Sequence, residues 1–255
     1  MTSLCSDMAK PDKNFVFCIY GFLRDMKPYN ADVDGVHKFV YVPKTRYEDK
    51  DVEVTQEELD SRFGKEYVSD VYQYDPSFYN TEAKKLEVPK FNRSHQQPQR
   101  ILSFFNHIKK SLELFENSTQ DYNDETIIFL FRSDIGIREY DVELARKLLD
   151  ADGDIIVEKL SFNGIRDMFF VFKKKDIFVF KTLYESYKEY VVNYHNGVEP
   201  KPRNDVPEAM IDFHIKHLNK KVVPERGVFN FTWDHVCNKY CGRHNKDNLK
   251  ILGED

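Results

Sequence analysis

The chain has few of the features that mark secreted or membrane-spanning proteins. It is 255 residues long, and its four cysteines are scattered at positions 5, 18, 237 and 241. Cysteines that are so few and so dispersed do not form the disulfide framework of a small secreted domain, and they fit a reducing compartment. No stretch approaches the roughly 18 to 20 consecutive apolar residues of a membrane span, and residues 1–12 lack the apolar centre of a signal peptide. We therefore expect a cytoplasmic protein without a membrane span.

Basic residues are not in excess. Lysine and arginine total 38 against 43 aspartates and glutamates, which gives a formal net charge of -5. A protein that coats nucleic acid needs surplus lysine and arginine to neutralise phosphates. We expect no nucleic-acid partner, although this charge balance leaves room for a single nucleotide at a local site.

The apolar content is sufficient for one large core. Hydrophobic residues make up 41% of the chain and aromatic residues 15%. A second full domain would crowd a chain of this length. We expect a flexible N-terminus over residues 1–13 and one domain over residues 14–255.

Apolar runs and helical periodicities alternate along the chain. Strands are predicted at residues 15–20, 38–42, 67–74, 126–131, 154–158 and 168–172. Helices are predicted at residues 56–63, 141–149 and 176–194 and from Pro98 and Pro207 onward, and a long loop is predicted at residues 75–97. The alternation predicts an α/β fold, Rossmann-like, with a mainly parallel sheet flanked by helices.

Polar residues follow two predicted strands, where ligands of parallel sheets bind. After the first strand, Gly21 and Phe22 begin a turn in which the glycine allows close approach of a ligand and Arg24 offers paired hydrogen bonds to a diphosphate. After the strand at 126–131, Asp134 offers a hard oxygen ligand suited to Mg²⁺ or Mn²⁺. The alternatives are an ordinary turn for the first segment, and an ion pair with Arg132 or a helix cap for Asp134.

Other candidates have equally simple structural interpretations. Gln99 and Ser103 lie four apart on the helix side away from the apolar stripe, so they either contact a base or ribose or form a solvated polar face. Asp167 is a candidate general base, or pairs with Arg166 or a lysine. Glu208, in the first turn of its helix, fits compensation of the helix dipole better than catalysis.

The C-terminal tail contains a possible metal-binding set. His235, Cys237, Cys241 and His244 are suitable zinc ligands, but their short, unequal spacing matches no familiar finger. We expect no structural zinc there.

The order of these motifs resembles glycosyltransferases of large DNA viruses and bacterial surface-polysaccharide clusters, which have a GT-A-like fold. The likeness runs over residues 14–218 and includes the Gly-Phe-Leu-Arg turn at 21–24, the Arg-Ser-Asp segment at 132–134, an Asn-Gly-x-x-Asp segment at 163–167 and the helix from Pro207. A viral source would imply the host-cell cytoplasm.

The resemblance implies a role for several residues. Gly21, Phe22 and Arg24 would line the nucleotide-diphosphate site, and Asp134 would stand where the Asp-x-Asp metal ligand of such enzymes stands. The sequence departs from that pattern because Arg132 replaces the first carboxylate. An arginine cannot coordinate a metal, although it can neutralise phosphate charge.

The resulting hypothesis is a glycosyltransferase that moves a sugar from a nucleotide-diphospho-sugar donor to a glycan or glycoprotein acceptor, with Mn²⁺ or Mg²⁺ as cofactor. Two alternatives remain open. One is a sugar-phosphate nucleotidyltransferase, for which the turn after the first strand is short. The other is a non-catalytic glycan-binding or assembly protein that keeps the fold.

Overall fold

A computed structural model describes residues 14–23, 36–46, 52–64, 67–88, 97–158, 160–161 and 164–233. The expectations for residues 1–13, for Arg24 and for the tail with Cys237 and Cys241 lie outside these residues. Among the described residues, no helix is both long and apolar enough to cross a membrane.

The described chain alternates strands and helices. The strands are β1 (Phe15–Tyr20), β2 (His37–Pro43), β3 (Tyr67–Tyr72), β4 (Ile127–Arg132), β5 (Ile135–Tyr140), β6 (Ile155–Val157), β7 (Leu160–Ser161), β8 (Gly164–Ile165), β9 (Phe169–Lys173), β10 (Val222–Pro224) and β11 (Phe229–Trp233). The helices are α1 (Gln56–Phe63), α2 (Pro76–Lys85), α3 (Pro98–Glu116), α4 (Val142–Ala151), α5 (Ile177–Asn196) and α6 (Pro207–His217).

Seven strands form one mixed sheet in the order β10-β6-β9-β4-β1-β2-β3. Neighbouring strands pair in parallel except at β9, which runs antiparallel to both β4 and β6. The prediction of an α/β fold with a mainly parallel sheet flanked by helices is confirmed at this level.

The sheet is buried on both faces, as its continuous apolar strands predict. In β1, Val16, Cys18 and Tyr20 face one core with α3, α5 and α6. Its other residues, Phe15, Phe17 and Ile19, face a second core with α1, α4 and β5. β5 and β11 form an antiparallel ribbon against this second face.

Local sequence signals account for the helix that lies nearest the carboxyl edge of β1. Helix α3 begins with Pro98, whose fixed φ suits a first helical position. Its apolar residues at spacings of three and four are buried against the sheet: Ile101, Phe105, Ile108, Leu112 and Phe115. This packing fixes which polar residues of α3 face the sheet edge.

The prediction of a loop over residues 75–97 is wrong where α2 forms. Asp75 caps this helix by accepting a hydrogen bond from the backbone N–H of Ser77 at 2.8 Å, and Pro76 begins it. The helix has one buried residue, Tyr79, so it has no apolar stripe that periodicity could reveal. Strand β5, which the sequence patterns also fail to predict, pairs with a distant partner, β11.

Candidate functional site

The carboxyl ends of β1, β2, β3 and β4 meet the first half of α3 around a cleft of about 760 Å³. Six of the eight residues that the sequence singles out line it: Gly21, Phe22, Gln99, Ser103, Arg132 and Asp134. Phe22 and Ser133, which are 111 positions apart in the chain, are therefore brought to one place. The seventh, Asp167, lies beside Arg132, and Arg24 is outside the described residues.

The floor of the cleft is formed where the turns after β1 and β4 are tied together. Gly21 has a φ of +98°, a conformation that side-chain-bearing residues rarely adopt. The backbone N–H of Ser133 donates to the carbonyl of Tyr20 at 2.8 Å, and its hydroxyl donates to the carbonyl of Phe22 at 2.9 Å. These bonds orient Ser133 toward the β1 turn, so its neighbours Arg132 and Asp134 are presented at the edge.

Arg132 is held between two carboxylates. Its Nε lies 2.9 Å from Oδ1 of Asp134 and its Nη2 lies 2.5 Å from Oδ2, which is a two-point ion pair. Its Nη1 lies 3.7 Å from Oδ2 of Asp167. Burial lowers the pKa of Arg132, but the charges of Asp134 and Asp167 outweigh burial and raise the pKa above its ordinary value. Arg132 is therefore a permanent cation.

The ion pair bears directly on the metal-ligand role predicted for Asp134. With a diphosphate supplying further oxygens, a single carboxylate can suffice to hold Mg²⁺, but both oxygens of Asp134 already accept from Arg132. A divalent ion on that carboxylate at roughly 4.5 Å from the guanidinium would be repelled by about 7 kcal/mol at an effective dielectric constant of about 20. Within the described ranges, no group of three His, Cys, Asp or Glu side chains is placed to hold a metal. The described residues of the cleft do not fit a resident divalent ion.

One wall of the cleft is aromatic. The rings of Phe22 and Tyr74 meet edge to face with centroids 4.8 Å apart, and Phe22 also lies 5.6 Å from His107. His107 is hydrogen-bonded through Nε2 to the hydroxyl of Tyr72, and burial lowers its pKa to about 3, so the imidazole is neutral at neutral pH. Ser103 is buried and its hydroxyl lies 3.4 Å from the same nitrogen. The alternative of a solvated face is therefore wrong for Ser103.

Arginine dominates the charge of the cleft lining. Among the residues that the structure describes, Arg46, Arg100 and Arg132 line it together with a single carboxylate, that of Asp134. Arg46 is oriented by Glu58, whose Oε2 lies 3.1 Å from its Nη2. This lining has a formal excess of two positive charges and suits a doubly charged anion.

Carboxylates cluster on the other side of Arg132. Burial raises the pKa of Glu208, and the charge of Asp167 raises it further. Burial also raises the pKa of Glu158, although Arg166 lies 3.0 Å from its Oε1. Arg166, the partner considered for Asp167, thus pairs with Glu158, while Asp167 lies next to Arg132.

The short strand β8 fixes the position of the helix that carries Glu208. Gly164 has a φ of +127°, and a Cβ atom built there would lie 2.3 Å from the carbonyl oxygen of Glu208. Only glycine allows this approach between β8 and the first turn of α6. The Glu208 side chain is half-buried in that turn.

Sequence patterns do not reveal several residues of the cleft. Tyr74 and Arg46 follow β3 and β2, and Arg100 and His107 lie on α3. One available signal was that His107 is one helical turn from Ser103, on the same face. Another was that Gln73 and Tyr74 end a predicted strand, at the sheet edge where ligands bind.

No protein-family model matches the chain, and neither does any curated protein.

Proposed function

We propose that the chain is a glycosyltransferase that takes its sugar from a nucleotide-diphospho-sugar and passes it to a hydroxyl group of a glycan or glycoprotein. The observation that carries the proposal is one cleft that combines an aromatic wall with three guanidinium groups and adjoins a carboxylate cluster. The sheet, with a reversed strand beside β4, is compatible with a GT-A-like fold.

The two parts of the cleft match the two parts of a nucleoside diphosphate. A base can stack against Phe22 and Tyr74, since aromatic faces accept any base. Gln99 and the hydroxyl of Ser103 stand on the same wall and offer hydrogen bonds. The diphosphate would then lie against the arginines, which bind phosphate oxygens through paired N–H groups.

Asp167 would act as the general base of the transfer. In an inverting transfer, the acceptor oxygen attacks the anomeric carbon, its proton passes to the Asp167 carboxylate, and the bond to the diphosphate breaks. The nucleoside diphosphate leaves with the bonding electrons. Asp167 lies 3.7 Å from Arg132, so base and leaving-group stabiliser are adjacent.

The pairing of Asp134 with Arg132 favours a second candidate, a glycan-binding or assembly protein without turnover. In that case the fold is retained but the carboxylate serves structure alone. The two candidates differ in whether a donor sugar is released.

A thermal-shift screen tests both candidates. Nucleoside diphosphates and nucleotide-sugars are added singly to the purified chain, because a ligand that binds only the folded state raises the melting temperature. We expect one base to stabilise the protein above the others, and its nucleotide-sugar to be hydrolysed slowly without acceptor. Stabilisation without any hydrolysis or transfer would favour the non-catalytic candidate. No stabilisation by any nucleotide would reject the glycosyltransferase.

A further inference from the structure

We propose that Arg132 takes the place of a divalent ion, so that this chain binds the donor diphosphate and stabilises its departure without a metal. The inference rests on the proposed function. The resemblance implies that a metal ion stabilises the leaving group, whereas here Arg132 does so.

The geometry prepares Arg132 for this role. A guanidinium carries five N–H groups in one plane. Two of its nitrogens, Nε and Nη2, donate to the carboxylate oxygens of Asp134 at 2.9 and 2.5 Å, and these two hydrogen bonds fix the orientation of the plane. Asp167 approaches a third nitrogen at 3.7 Å. The side chain is 24% exposed and lines the cleft, so part of the guanidinium can meet a ligand there.

The charge of the site points the same way. Carboxylates that hold a metal usually make an empty site negative, and the ion restores the balance. Here the described lining carries Arg46, Arg100 and Arg132 against the one carboxylate of Asp134, so this part of the cleft is positive before any ion is added. A diphosphate therefore meets complementary charge directly.

Arg132 can act at the bond that breaks. As the bond between the anomeric carbon and the diphosphate oxygen opens, the electron pair moves onto that oxygen. A fixed cation that donates hydrogen bonds to the phosphate stabilises the developing charge without reorganisation. The acceptor proton goes to Asp167, so the step needs no further reactant.

The pairing of Asp134 with Arg132 predicts how an added metal ion affects nucleotide binding. An ion bound to that carboxylate would compete with Arg132 for the same oxygens. Added Mn²⁺ should therefore leave the affinity for a nucleoside diphosphate unchanged or lower it.

Calorimetric titration of the full chain tests the inference. Uridine, guanosine, adenosine and cytidine diphosphates are titrated singly in the presence of EDTA and again with Mn²⁺. We expect the best-binding nucleotide to have the same dissociation constant within about twofold in the two buffers. Arg132→Gln should weaken its binding about tenfold or more, which corresponds to the loss of a charge-assisted contact. Arg132→Lys should give an intermediate loss because it retains the charge but not the planar fork.

Arg146→Gln is the matched control, since Arg146 lies on α4, is paired with Glu143 and does not line the cleft. Its affinity should equal that of the unaltered chain, and melting temperatures report whether each variant folds. Binding that requires Mn²⁺ and disappears in EDTA would overturn the inference while leaving the proposed function intact. An Arg132→Lys variant that folds and binds no worse than the unaltered chain would also overturn it. Failure of every nucleotide in both buffers would overturn the inference and the proposed function together.

Discussion

The two halves of the sheet's carboxyl edge differ in chemistry. At the ends of β1, β2 and β3, the cleft is lined by aromatic rings and the arginines Arg46 and Arg100. Around the ends of β6 and β10 and the start of β9, the charged groups include Glu158, Asp167 and Glu225, whose charges influence one another. Arg132, at the end of β4, lies between these halves.

This difference has a chemical meaning. An anion with an aromatic ring is attracted to the first half and repelled by the second. Neutral hydroxyl groups can approach carboxylates, and a carboxylate can accept their protons. The two halves therefore suit the donor and the acceptor of a group transfer, and the predictions below alter one half at a time.

The largest expected effect on turnover comes from the acidic half. Asp167→Asn keeps the size of the side chain but removes its basicity, so the rate of transfer should fall by about 100- to 10,000-fold. The melting temperature should change little because Asp167 lies 3.7 Å from Arg132, beyond hydrogen-bond distance, and Arg132 keeps its two-point ion pair with Asp134. Initial rates with the donor identified by the thermal-shift screen provide the measurement.

Asp212→Asn is the control for that experiment. Asp212 lies on α6 and pairs with Lys216 one helical turn away. Its rate should match that of the unaltered chain. Transfer by Asp167→Asn within about tenfold of the normal rate would remove Asp167 from the general-base role, because base catalysis contributes more than that.

A backbone substitution should disrupt the acidic half by destabilising the fold. Gly164→Ala combines a positive φ with a Cβ atom 2.3 Å from the carbonyl oxygen of Glu208. The free energy of unfolding should fall by about 3 kcal/mol or more, from backbone strain and steric overlap together. Gly197→Ala is matched, since it has a φ of +67° but no atom within 4 Å. It should cost about 1 kcal/mol. Equal losses of unfolding free energy in the two variants, measured by urea denaturation, would show that the first turn of α6 shifts readily to make room for the added Cβ atom.

Sequence patterns predict elements with a continuous apolar run or stripe better than they predict strand direction or solvent-facing helices. β1 and β4 are apolar on both faces, and α3 has a continuous apolar stripe, so each is visible locally. The reversal of β9 is not visible, because a strand buried on both faces has the same composition in either direction. Helix α2 has one buried residue and so lacks a periodic signal.

The same reasoning explains which site residues could be predicted. Gly21, Arg132 and Asp134 end strands that the sequence marks clearly, and ends of parallel strands converge. Tyr74 and Arg46 follow strands nearer the sheet's edge, where polar residues are ordinary. The pairing of Arg132 with Asp134 is one of three interpretations that the sequence leaves open for Asp134, and the side-chain geometry distinguishes it from a helix cap.

The aromatic half predicts a loss of affinity. Tyr74→Ala should weaken nucleoside-diphosphate binding by about 1–3 kcal/mol, or about 5- to 150-fold, if the base stacks on this wall. Tyr74→Phe should retain most of the affinity because it keeps the ring. Phe78→Ala removes an exposed ring from α2 that does not line the cleft and should change nothing. A sugar phosphate without a base should bind Tyr74→Ala as well as it binds the unaltered chain, and an equal loss for both ligands would contradict stacking.

The smallest effect separates the halves by pH. Burial lowers the pKa of His107, behind the aromatic wall, to about 3, and that of His214, on α6, to about 4. In the unfolded chain each histidine takes up a proton near pH 6.5. Below that pH the unfolded state binds more protons, so each neutral histidine costs the protein about 1.4 kcal/mol of stability per pH unit until its folded pKa is reached. His107→Gln and His214→Gln should each remove about 1 kcal/mol of the stability lost between pH 6.5 and 5.5, because protonation of the unfolded chain is only half complete at pH 6.5; urea denaturation at both pH values measures this. The two variants should also differ in nucleotide binding at pH 7.5.

His107→Gln should weaken this binding because His107 orients Tyr72 and contacts Phe22 at the cleft. His214→Gln should not, since His214 accepts a hydrogen bond from Tyr190 and donates one to the carbonyl of Val179. Equal nucleotide affinity in the two variants would show that His107 does not influence the cleft.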